Sequence, residues 1–266
     1  MINGVEIEFF KYQGAGNDFI IVNQLQVNPA IDWSRELVAK LCDRYFGIGA
    51  DGFIIIQPAE SADFHMLYYN SDGQVSTLCG NGSRCAVWFY YQNVRNTITN
   101  VRFTTNEGLF EGEVIDSELV KLKVLDLNDW KEKSDFYFLN TGSPHIVLFQ
   151  SSIDQADMDE VGKRYRNQSP NGAAGSNVNL VQVGSENKIR TYERGVEGET
   201  LACGTGIIAS ALAKAIHKAY PVGTYIESFE AKGGRLQVYF NKTESGFEQI
   251  YLEGPAQEEF KGKVKI

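Results

Sequence analysis

Hydrophobic and polar positions alternate along much of the chain, which is the pattern of half-buried β-strands. Residues 120–125 and 235–240 show this alternation most clearly. Short apolar runs at residues 19–22, 53–56 and 146–149 indicate further strands. The pattern therefore predicts a chain in which sheet dominates.

Helical patterns interrupt these strands at a few places. The predicted helices are Ser34–Tyr45, Ser83–Tyr91, Asp157–Tyr165 and Ile207–Ala219. Gly47 is expected to end the first helix as its C′ residue, and Pro221 to stop the fourth. The fourth helix begins apolar on nearly all sides, which is typical of a helix enclosed by its own sheet.

Two short patterns each occur twice along the chain. The glycine turn Gly14–Asn17 lies between two strands and has a counterpart at Gly142–His145. The pattern Cys-Gly-x-Gly occurs at Cys79–Gly82 and at Cys203–Gly206, each time before a predicted helix. The two turns begin 128 positions apart and the two cysteines are 124 positions apart. A duplication of about half the chain explains both spacings.

The repeat predicts an α/β (α+β) fold of two pseudo-symmetric halves. Each half is expected to be a curved, mainly antiparallel sheet around one central helix. Residues 1–127, completed by a C-terminal strand at 257–266, form the predicted first half and carry Cys79. Residues 128–256 form the predicted second half and carry Cys203.

Composition narrows the class of protein. The chain has 266 residues, of which 43% are hydrophobic and 22% charged, as in ordinary soluble globular proteins. A net charge of -9 argues against a nucleic-acid partner, because phosphate binding needs clustered Lys and Arg. No stretch reaches the roughly 20 apolar residues of a membrane span, and residues 1–10 do not resemble a signal peptide. We therefore expect a cytoplasmic protein with neither a nucleic-acid nor a membrane partner.

The cysteines are the candidate chemical groups. The chain has four, none in a Cys-x-x-Cys pair, which predicts neither a disulfide framework nor a metal site. Cys42 and Cys85 fall inside predicted helices and are expected to be core residues. Cys79 and Cys203 precede helices, whose N-terminal dipole lowers the pKa of a nearby thiol from about 8.5. These two thiols are predicted to act as a paired acid and base.

One other pattern has a structural interpretation. Gly47–Gly52 matches G-x-G-x-x-G, but it follows a helix and opens a strand. A dinucleotide site needs the opposite order, so a sharp helix-to-strand turn is predicted instead.

The histidines leave alternative chemistries open. His65 and His217 are expected to have structural or surface roles, whereas His145 occupies the repeat position of Asn17 and is a candidate tuner of thiol charge. A thiol paired with His145 could also serve a hydrolase, although that interpretation leaves the second cysteine turn unexplained. A redox pair would favour closer cysteines.

Taken together, the motifs resemble the diaminopimelate epimerase family. The resemblance runs over nearly the whole chain and rests on Gly14–Phe19, Tyr69–Gly73, Cys79–Cys85, Asn177–Asn179 and Tyr192–Gly206. It implies an isomerase that converts LL-diaminopimelate to the meso form, a step of lysine and cell-wall precursor biosynthesis, without pyridoxal phosphate, other cofactor or metal. It also implies an active site in the cleft between the two halves and a homodimer.

The resemblance assigns roles to individual residues. Cys79 and Cys203 would be the catalytic thiols, with His145 and Glu193 adjusting their proton affinities. The implied substrate contacts are Asn17, Asn70, Gly80, Asn81, Asn177, Glu193, Arg194, Gly204 and Thr205. The chain departs from the family at Ser143, where many members have Asn, and at Gly52, where some have Gln.

The residue types suggest how these contacts divide. Backbone N–H groups at the two helix starts suit the reacting carboxylate, and the planar guanidinium of Arg194 suits a distant carboxylate. The side chains of Asn17, Asn70 and Asn177 would then bind the distal amino group. The alternatives are a two-cysteine proline or hydroxyproline racemase, and a non-catalytic thiol redox or amino-acid-binding protein.

Overall fold

The structure is a computed structural model that describes residues 5–26, 31–76, 79–168, 170 and 172–266. Residues 77 and 78, which precede Cys79 in the repeated motif, lie outside the described residues, as do the first four residues of the predicted first half. The chain divides into two compact units, Met1–Leu122 with Pro255–Ile266, and Lys123–Gly254.

The first unit is one sheet with two helices. Its strands are β1 (Glu6–Gly14), β2 (Asn17–Asn23), β3 (Gly52–Gln57), β4 (Phe64–Asn70), β5 (Asn100–Thr105), β6 (Gly108–Asp116), β7 (Leu119–Lys123) and β17 (Gln257–Lys265), and its helices are α1 (Arg35–Cys42) and α2 (Gly80–Asn93). The pairing order is β17, β1, β2, β3, β4, β5, β6, β7. Only the β2/β3 and β4/β5 pairs among these are parallel.

Helix α2 lies at the centre of this unit. It contacts β17 and β1 at one end of the pairing order and β6 near the other, so the sheet curves around it. Strand β3 is buried on both faces: Ile54 and Ile56 join the cluster around α2, while Phe53 and Ile55 join a second cluster with α1. This two-sided burial explains the unbroken apolar run in the sequence.

The second unit repeats the plan. Its strands are β8 (Trp130–Glu132), β9 (Tyr137–Asn140), β10 (Pro144–Phe149), β11 (Asn177–Gln182), β12 (Asn187–Glu193), β13 (Gly198–Thr200), β14 (Gly223–Ala231), β15 (Gly234–Lys242) and β16 (Phe247–Pro255), and its helices are α3 (Met158–Tyr165) and α4 (Gly204–His217), with short 3-10 helices at Arg166–Gln168 and Gly172–Ala174. The pairing order is β8, β9, β10, β11, β12, β14, β15, β16, with β13 paired to β12. The β10/β11 and β12/β14 pairs are parallel, and α4 contacts strands β9, β10, β11, β14 and β15.

Parallel pairs therefore fall at the same two places in both units. In each unit, the shorter helix connects the first parallel pair and the 14-residue helix that follows a cysteine connects the second. The predicted α/β class, with mainly antiparallel sheets, is confirmed. Among the described residues, no helix is both long and apolar enough to cross a membrane.

Helix α1 is shorter than the sequence pattern predicts. Ser34 caps its start as expected, accepting from the N–H of Leu37, but the chain leaves the helix at Asp43. The Asp43 carboxylate accepts hydrogen bonds from the next turn, including the N–H of Tyr45 at 2.7 Å, and so replaces helical bonds. Gly47 does not end the helix but packs against it. A Cβ at this position would lie 2.1 Å from the Lys40 carbonyl oxygen, which explains why the residue is glycine.

Helices α2 and α4 begin three residues earlier than predicted, immediately after Cys79 and Cys203. The Cys-Gly-x-Gly pattern therefore does not precede each helix as predicted, because its last three residues form the first helical turn. At the second glycine of each pattern a side chain would meet close neighbours. A Cβ at Gly82 would be 3.1 Å from Ile54 Cδ1, and one at Gly206 would be 2.3 Å from Asn179 Oδ1. Close packing, rather than flexibility, explains glycine at these positions.

Candidate active site

Cys79 is the N-cap residue of α2. Its backbone is extended, with φ −107° and ψ 113°, and the first helical hydrogen bond runs from the Ser83 N–H to the Cys79 carbonyl at 2.8 Å. The amides of a first helical turn have no acceptor within the helix and carry partial positive charge. The thiol therefore lies at the positive end of a buried helix, as the sequence predicts.

The side-chain amide of Asn17 has a fixed orientation beside this thiol. Asn17 Nδ2 donates to Asp51 Oδ2 at 2.7 Å, and a carboxylate oxygen can only accept. Asn17 Oδ1 therefore turns the other way, 3.8 Å from Cys79 Sγ and 3.4 Å from Asn81 Nδ2, which donates to it. Asn17 is thus an acceptor suited to the S–H of Cys79.

An ion cluster anchors Asp51. Arg44 Nη2 lies 2.7 Å from both Asp18 Oδ1 and Asp51 Oδ1, and Lys11 Nζ lies 2.6 Å from Asp18 Oδ2. Burial acts to raise the pKa of Asp18, but the hydrogen bonds and charges of Arg44 and Lys11 outweigh it and lower the pKa to about 2. The cluster lies at the Gly47–Gly52 turn, which connects α1 to β3 as predicted.

A buried cation lies under the start of α2. Arg84 is fully buried; Nη2 donates to Asn81 Oδ1 at 2.8 Å and Nε donates to the Pro255 carbonyl at 3.2 Å. Burial lowers the pKa of Arg84 to about 10, while the nearby Cys85 and Cys79 act in the opposite direction. Arg84 therefore keeps its charge at neutral pH and favours a thiolate at Cys79.

Cys203 has the same position on α4. Its backbone is extended, with φ −114° and ψ 106°, and the Ile207 N–H donates to the Cys203 carbonyl at 2.9 Å. The Glu193 carboxylate accepts a hydrogen bond from the Thr200 hydroxyl. Burial raises the pKa of Glu193, and hydrogen bonding from Thr200 and from the Cys203 thiol opposes the rise. Glu193 therefore supplies an acceptor for the S–H of Cys203.

His145 is fully buried in β10, and not in the glycine turn where the sequence places it. Asn179 Nδ2 donates to the Ile146 carbonyl at 3.0 Å, which fixes the orientation of this amide because a carbonyl can only accept. The same Nδ2 lies 3.0 Å from His145 Nδ1. Nδ1 is therefore an acceptor, and a neutral His145 carries its proton on Nε2.

This tautomer determines what Thr205 can do. His145 Nε2 lies 2.9 Å from Thr205 Oγ1, compared with 3.5 Å from Asn177 Nδ2, so its N–H donates to Thr205. The Thr205 hydroxyl hydrogen is then available to Cys203 Sγ, 3.6 Å away. Thr205 thus supplies a donor suited to a Cys203 thiolate.

The charge state of His145 follows from its surroundings. Burial, aided by the positive charge of Arg194, lowers the pKa of His145 to about 3. The imidazole is therefore neutral across the physiological range, as the Nε2–H donor role requires.

Acid should destabilise the protein through His145. Between pH 6.5 and about 3 the unfolded chain binds a proton that the native imidazole does not, so stability rises with pH across this window and is constant above it. From pH 7 to about 4.5 this contributes a loss of ~2.5 kcal/mol in the free energy of unfolding. Guanidinium titrations at both pH values should show a shallower loss for His145→Asn. Equal losses in both proteins would contradict a neutral buried imidazole.

The remaining predicted site residues divide between the units. Asn177 Oδ1 accepts from the Arg194 N–H at 3.0 Å, which holds the backbone of Arg194 at the end of β12. Asn70 lies at the exposed end of β4, where its main chain bonds to Gln74 and Gly73 in a tight turn. The structure therefore groups most predicted residues around a thiol, but it does not place Asn70 in the Asn17 and Asn81 group.

The other cysteines and histidines have structural environments. Cys42 and Cys85 are buried, and burial raises the pKa of the Cys42 thiol to about 12. His65 Nδ1 lies 3.0 Å from Thr104 Oγ1. His217 stacks on Phe149 with ring centroids 4.7 Å apart. Cys42 and Cys85 are core residues as predicted, and the contacts of His65 and His217 agree with the expected structural roles.

The sequence did not single out Asp51, Arg84 and Asn179, nor Tyr68, whose ring lies against Gly52 on the α2 side of β4. Two of them have a signal in the sequence. Arg84 is the one cation within α2, whose neighbouring residues are buried. Asn179 lies two positions after Asn177 on a strand and so shares its face. The other two depend on contacts between distant segments.

A surface cavity of about 720 Å³ lies elsewhere, at the start of α3. Its lining is Ala156, Asp157, Met158, Asp159, Glu160, Lys163, Arg190 and Glu199. Glu199 already holds the Arg190 guanidinium with two hydrogen bonds of 2.7 and 2.8 Å. The cavity includes no predicted site residue and is distinct from the surroundings of either thiol.

Known proteins resemble this chain in sequence and in fold. The family model for diaminopimelate epimerase matches residues 9–124 and 137–258. A diaminopimelate epimerase of Flavobacterium psychrophilum is 43% identical over 94% of this chain and 97% of its own, and one of Chlorobaculum tepidum is 38% identical over 95% and 99%.

Solved structures with much lower identity share the fold. A phenazine biosynthesis protein of Bacillus anthracis has a TM-score of 0.75 at 15% identity, covering 98% of this chain and 100% of its own. A probable proline racemase of Agrobacterium radiobacter has a TM-score of 0.67 at 14% identity, covering 97% and 92%. The fold is thus common to proteins with different names.

Proposed function

The chain belongs to the diaminopimelate epimerase family, and on that premise we propose that it converts LL-diaminopimelate to the meso isomer with Cys79 and Cys203 as base and acid. The observation that carries the proposal is the matched setting of the two thiols. Each caps the N-terminus of a 14-residue helix and has a polar neighbour of fixed orientation, which is Asn17 at Cys79 and Thr205 at Cys203.

Inversion requires two proton transfers on opposite faces of one carbon. One sulfur, as thiolate, removes the α-proton and becomes a thiol. The other, as thiol, gives its proton to the opposite face of the carbanion and becomes a thiolate. Protons and charge balance without a cofactor, and the roles exchange in the reverse reaction, so the thiols titrate as a coupled pair.

Each sulfur therefore needs an acceptor that stabilises its thiol form and a donor that stabilises its thiolate form. At Cys203, the Glu193 carboxylate accepts from the thiol, and the Thr205 hydroxyl, oriented by neutral His145, donates to the thiolate. At Cys79, Asn17 Oδ1 accepts from the thiol. His145 and Glu193 are thus proposed to adjust proton affinity.

The negative charge of the carbanion also needs stabilisation. Acid–base groups contribute about 10²- to 10⁴-fold in rate, which is too little for an unactivated α-proton. Backbone donors contribute roughly 3 to 4 kcal/mol each where charge develops on oxygen. We assign this role to the N–H groups of Gly80, Asn81, Gly204 and Thr205, in the first turns of α2 and α4.

The distal half of the substrate needs its own contacts. Arg194 would hold the far carboxylate, because its planar guanidinium can form two parallel hydrogen bonds. Asn17, Asn70 and Asn177 are proposed to bind the distal amino group. The Asn177 contact to the Arg194 N–H supports placing these two residues together.

We further propose that residues 1–127 with 257–266, and residues 128–256, close on the substrate from two sides. The enzyme would act as a homodimer in the cytoplasm, where reducing conditions keep both sulfurs as thiols. The family resemblance supports the dimer. Light scattering after size-exclusion chromatography should give twice the chain mass of 29.7 kDa; a monomeric mass would contradict it.

Deuterium incorporation tests the proposed reaction. Reduced protein in heavy water should place deuterium at one α-carbon of LL-diaminopimelate while the isomer ratio moves towards equilibrium. L-proline and trans-4-hydroxy-L-proline serve as competing substrates, and protein with both Cys79→Ala and Cys203→Ala gives the background. Absence of exchange with diaminopimelate, or faster exchange with either proline, would overturn the proposal.

A further inference from the structure

Gly52 begins β3 and pairs with Asn70 of β4. A Cβ at Gly52 would lie 2.5 Å from Tyr68 Cε2 and 3.0 Å from the Tyr68 hydroxyl oxygen. Real Cβ atoms do not approach neighbours so closely, so the tyrosine ring occupies the space that any side chain at position 52 would need. The absence of a side chain at Gly52 is therefore a condition for the position of Tyr68.

The ring of Tyr68 lies on the α2 side of β4. It meets Phe19 edge-on, with centroids 6.2 Å apart and planes at 69°. The next residue, Tyr69, packs on the opposite side in the cluster that contains Phe53. Phe19 in turn lies against the first turn of α2, where a Cβ at Gly82 would be 3.3 Å from Phe19 Cε1, and Tyr68 and Cys79 pack against the same cluster around this helix. The Tyr68 ring is therefore on the side of the sheet that carries the Cys79 thiol.

The hydroxyl of Tyr68 acts as a donor. Burial raises its pKa above the usual value, with a further rise from the charge and hydrogen bond of Cys79, so it stays protonated wherever a thiol titrates. A donor stabilises the thiolate form of a sulfur, whereas Asn17 Oδ1, as an acceptor, serves only the thiol form. Tyr68 is thus a hydrogen-bond donor suited to a Cys79 thiolate, as Thr205 is to a Cys203 thiolate.

We propose that Tyr68 is a further catalytic residue, whose hydroxyl donates a hydrogen bond to the Cys79 thiolate, and that glycine at position 52 makes room for it. The role of Tyr68 in turnover rests on the proposed function of Cys79. The hydrogen bond and its effect on the pKa of the Cys79 thiol do not depend on that function. Tyr68 and Asn17 would then supply a donor and an acceptor at Cys79, as Thr205 and Glu193 do at Cys203.

Other charged and titratable groups act on the same pair. Arg84 and Cys85 on α2 interact with Cys79, and Asp51 and Cys42 interact with Tyr68. All four remain in place when Tyr68 becomes phenylalanine, and the ring keeps its contact with Phe19. The difference between the two proteins therefore isolates the hydroxyl.

The test is the pH dependence of Cys79 alkylation by iodoacetamide in full-length Cys203→Ala protein. Cys42 and Cys85 are buried with raised pKa values and should react slowly; mass spectrometry of peptides identifies the modified residue. Adding Tyr68→Phe should move the midpoint of the alkylation profile up by about one pH unit, because the thiolate loses a charge-assisted donor. An unchanged or lower midpoint would overturn the inference.

A double-mutant cycle tests the role of Gly52. Gly52→Ala should displace the Tyr68 ring and shift the midpoint upward by a similar amount, while Gly52→Ala in Tyr68→Phe protein should add little, since the hydroxyl is already gone. Additive shifts would show that glycine serves some other purpose. Tyr69→Phe is the matched control and should leave the midpoint unchanged. If Gly52→Ala does not fold, Tyr68→Phe alone decides.

These outcomes separate the inference from the proposed function. The alkylation midpoint needs no turnover, so an unchanged midpoint removes the role of Tyr68 and leaves the epimerase proposal intact. If diaminopimelate exchange fails but the midpoint shifts, the epimerase proposal is overturned and the hydrogen bond from Tyr68 to Cys79 stands. In active protein, Tyr68→Phe should lower kcat about tenfold, with recovery at higher pH.

Discussion

Replacing Cys79 or Cys203 with alanine is expected to lower the rate of isomer interconversion by at least about 10³-fold, because inversion needs a proton donor and an acceptor on opposite faces. One remaining thiolate can remove and return a proton on one face only. Any residual deuterium exchange should therefore be confined to a single isomer, and the isomer that each variant exchanges identifies the face its sulfur serves. Chiral chromatography with mass spectrometry measures both quantities.

Cys42→Ala is the matched control for these variants. Its sulfur is buried at the end of α1, where burial raises the pKa of the thiol to about 12, so it stays a neutral thiol and activity should stay within about threefold of wild type. Far-UV circular dichroism should show that all three proteins are folded. Interconversion of isomers by either Cys79→Ala or Cys203→Ala at more than a tenth of the wild-type rate would contradict a two-thiol mechanism.

Gly206→Ala is expected to lower kcat/KM by about 10²-fold and the free energy of unfolding by about 2 kcal/mol. The new Cβ would lie 2.3 Å from Asn179 Oδ1. Asn179 is fully buried and also bonds to His145, Ile146 and Thr191, so it cannot move without breaking hydrogen bonds. Displacing Asn179 removes the donor that keeps the proton of His145 on Nε2. Steady-state kinetics and chemical denaturation measure the two effects.

Two further variants separate packing from chemistry. Gly198→Ala is the control, because a Cβ there meets no atom within 4 Å, and both activity and stability should be close to wild type. Adding Asn179→Ala to Gly206→Ala relieves the clash, but stability should recover only in part, because the Ile146 carbonyl and the Thr191 hydroxyl lose a buried hydrogen-bond partner. Activity should stay low because His145 Nδ1 loses its donor. Full activity in the double variant would show that Asn179 only fills space.

The sequence predicted the repeat and the places of the two thiols because these signals are local. A cysteine followed by glycines and an apolar helix can be recognised within a dozen residues. The predicted helix ends are less accurate: α1 ends earlier because the Asp43 carboxylate replaces helical bonds, and α2 and α4 begin earlier because their glycines are part of the first helical turn. At Gly82 and Gly206, glycine instead reflects close neighbours from other strands.

The polar groups around the thiols depend on contacts between distant segments. Asn17 and Asp51 are 34 positions apart in sequence, Asn179 and His145 are also 34 apart, and Cys79 and Asn17 are 62 apart. Sequence can list such residues as candidates, but it cannot show which way an amide faces. The orientation of an amide is fixed when a neighbouring carbonyl or carboxylate oxygen can only accept, so that the amide must turn its NH₂ group towards that oxygen.

By itself, the sequence determined the family, the α/β class and the two cysteines that begin helices, since each depends on residue types at short spacing. The tertiary structure decided the hydrogen-bond direction at each sulfur. It placed Asp51 against Asn17 and the Ile146 carbonyl against Asn179, and it brought Tyr68 into the space beside Gly52. The physical reason is that a hydrogen bond has a direction, which is set by partners that only folding brings together.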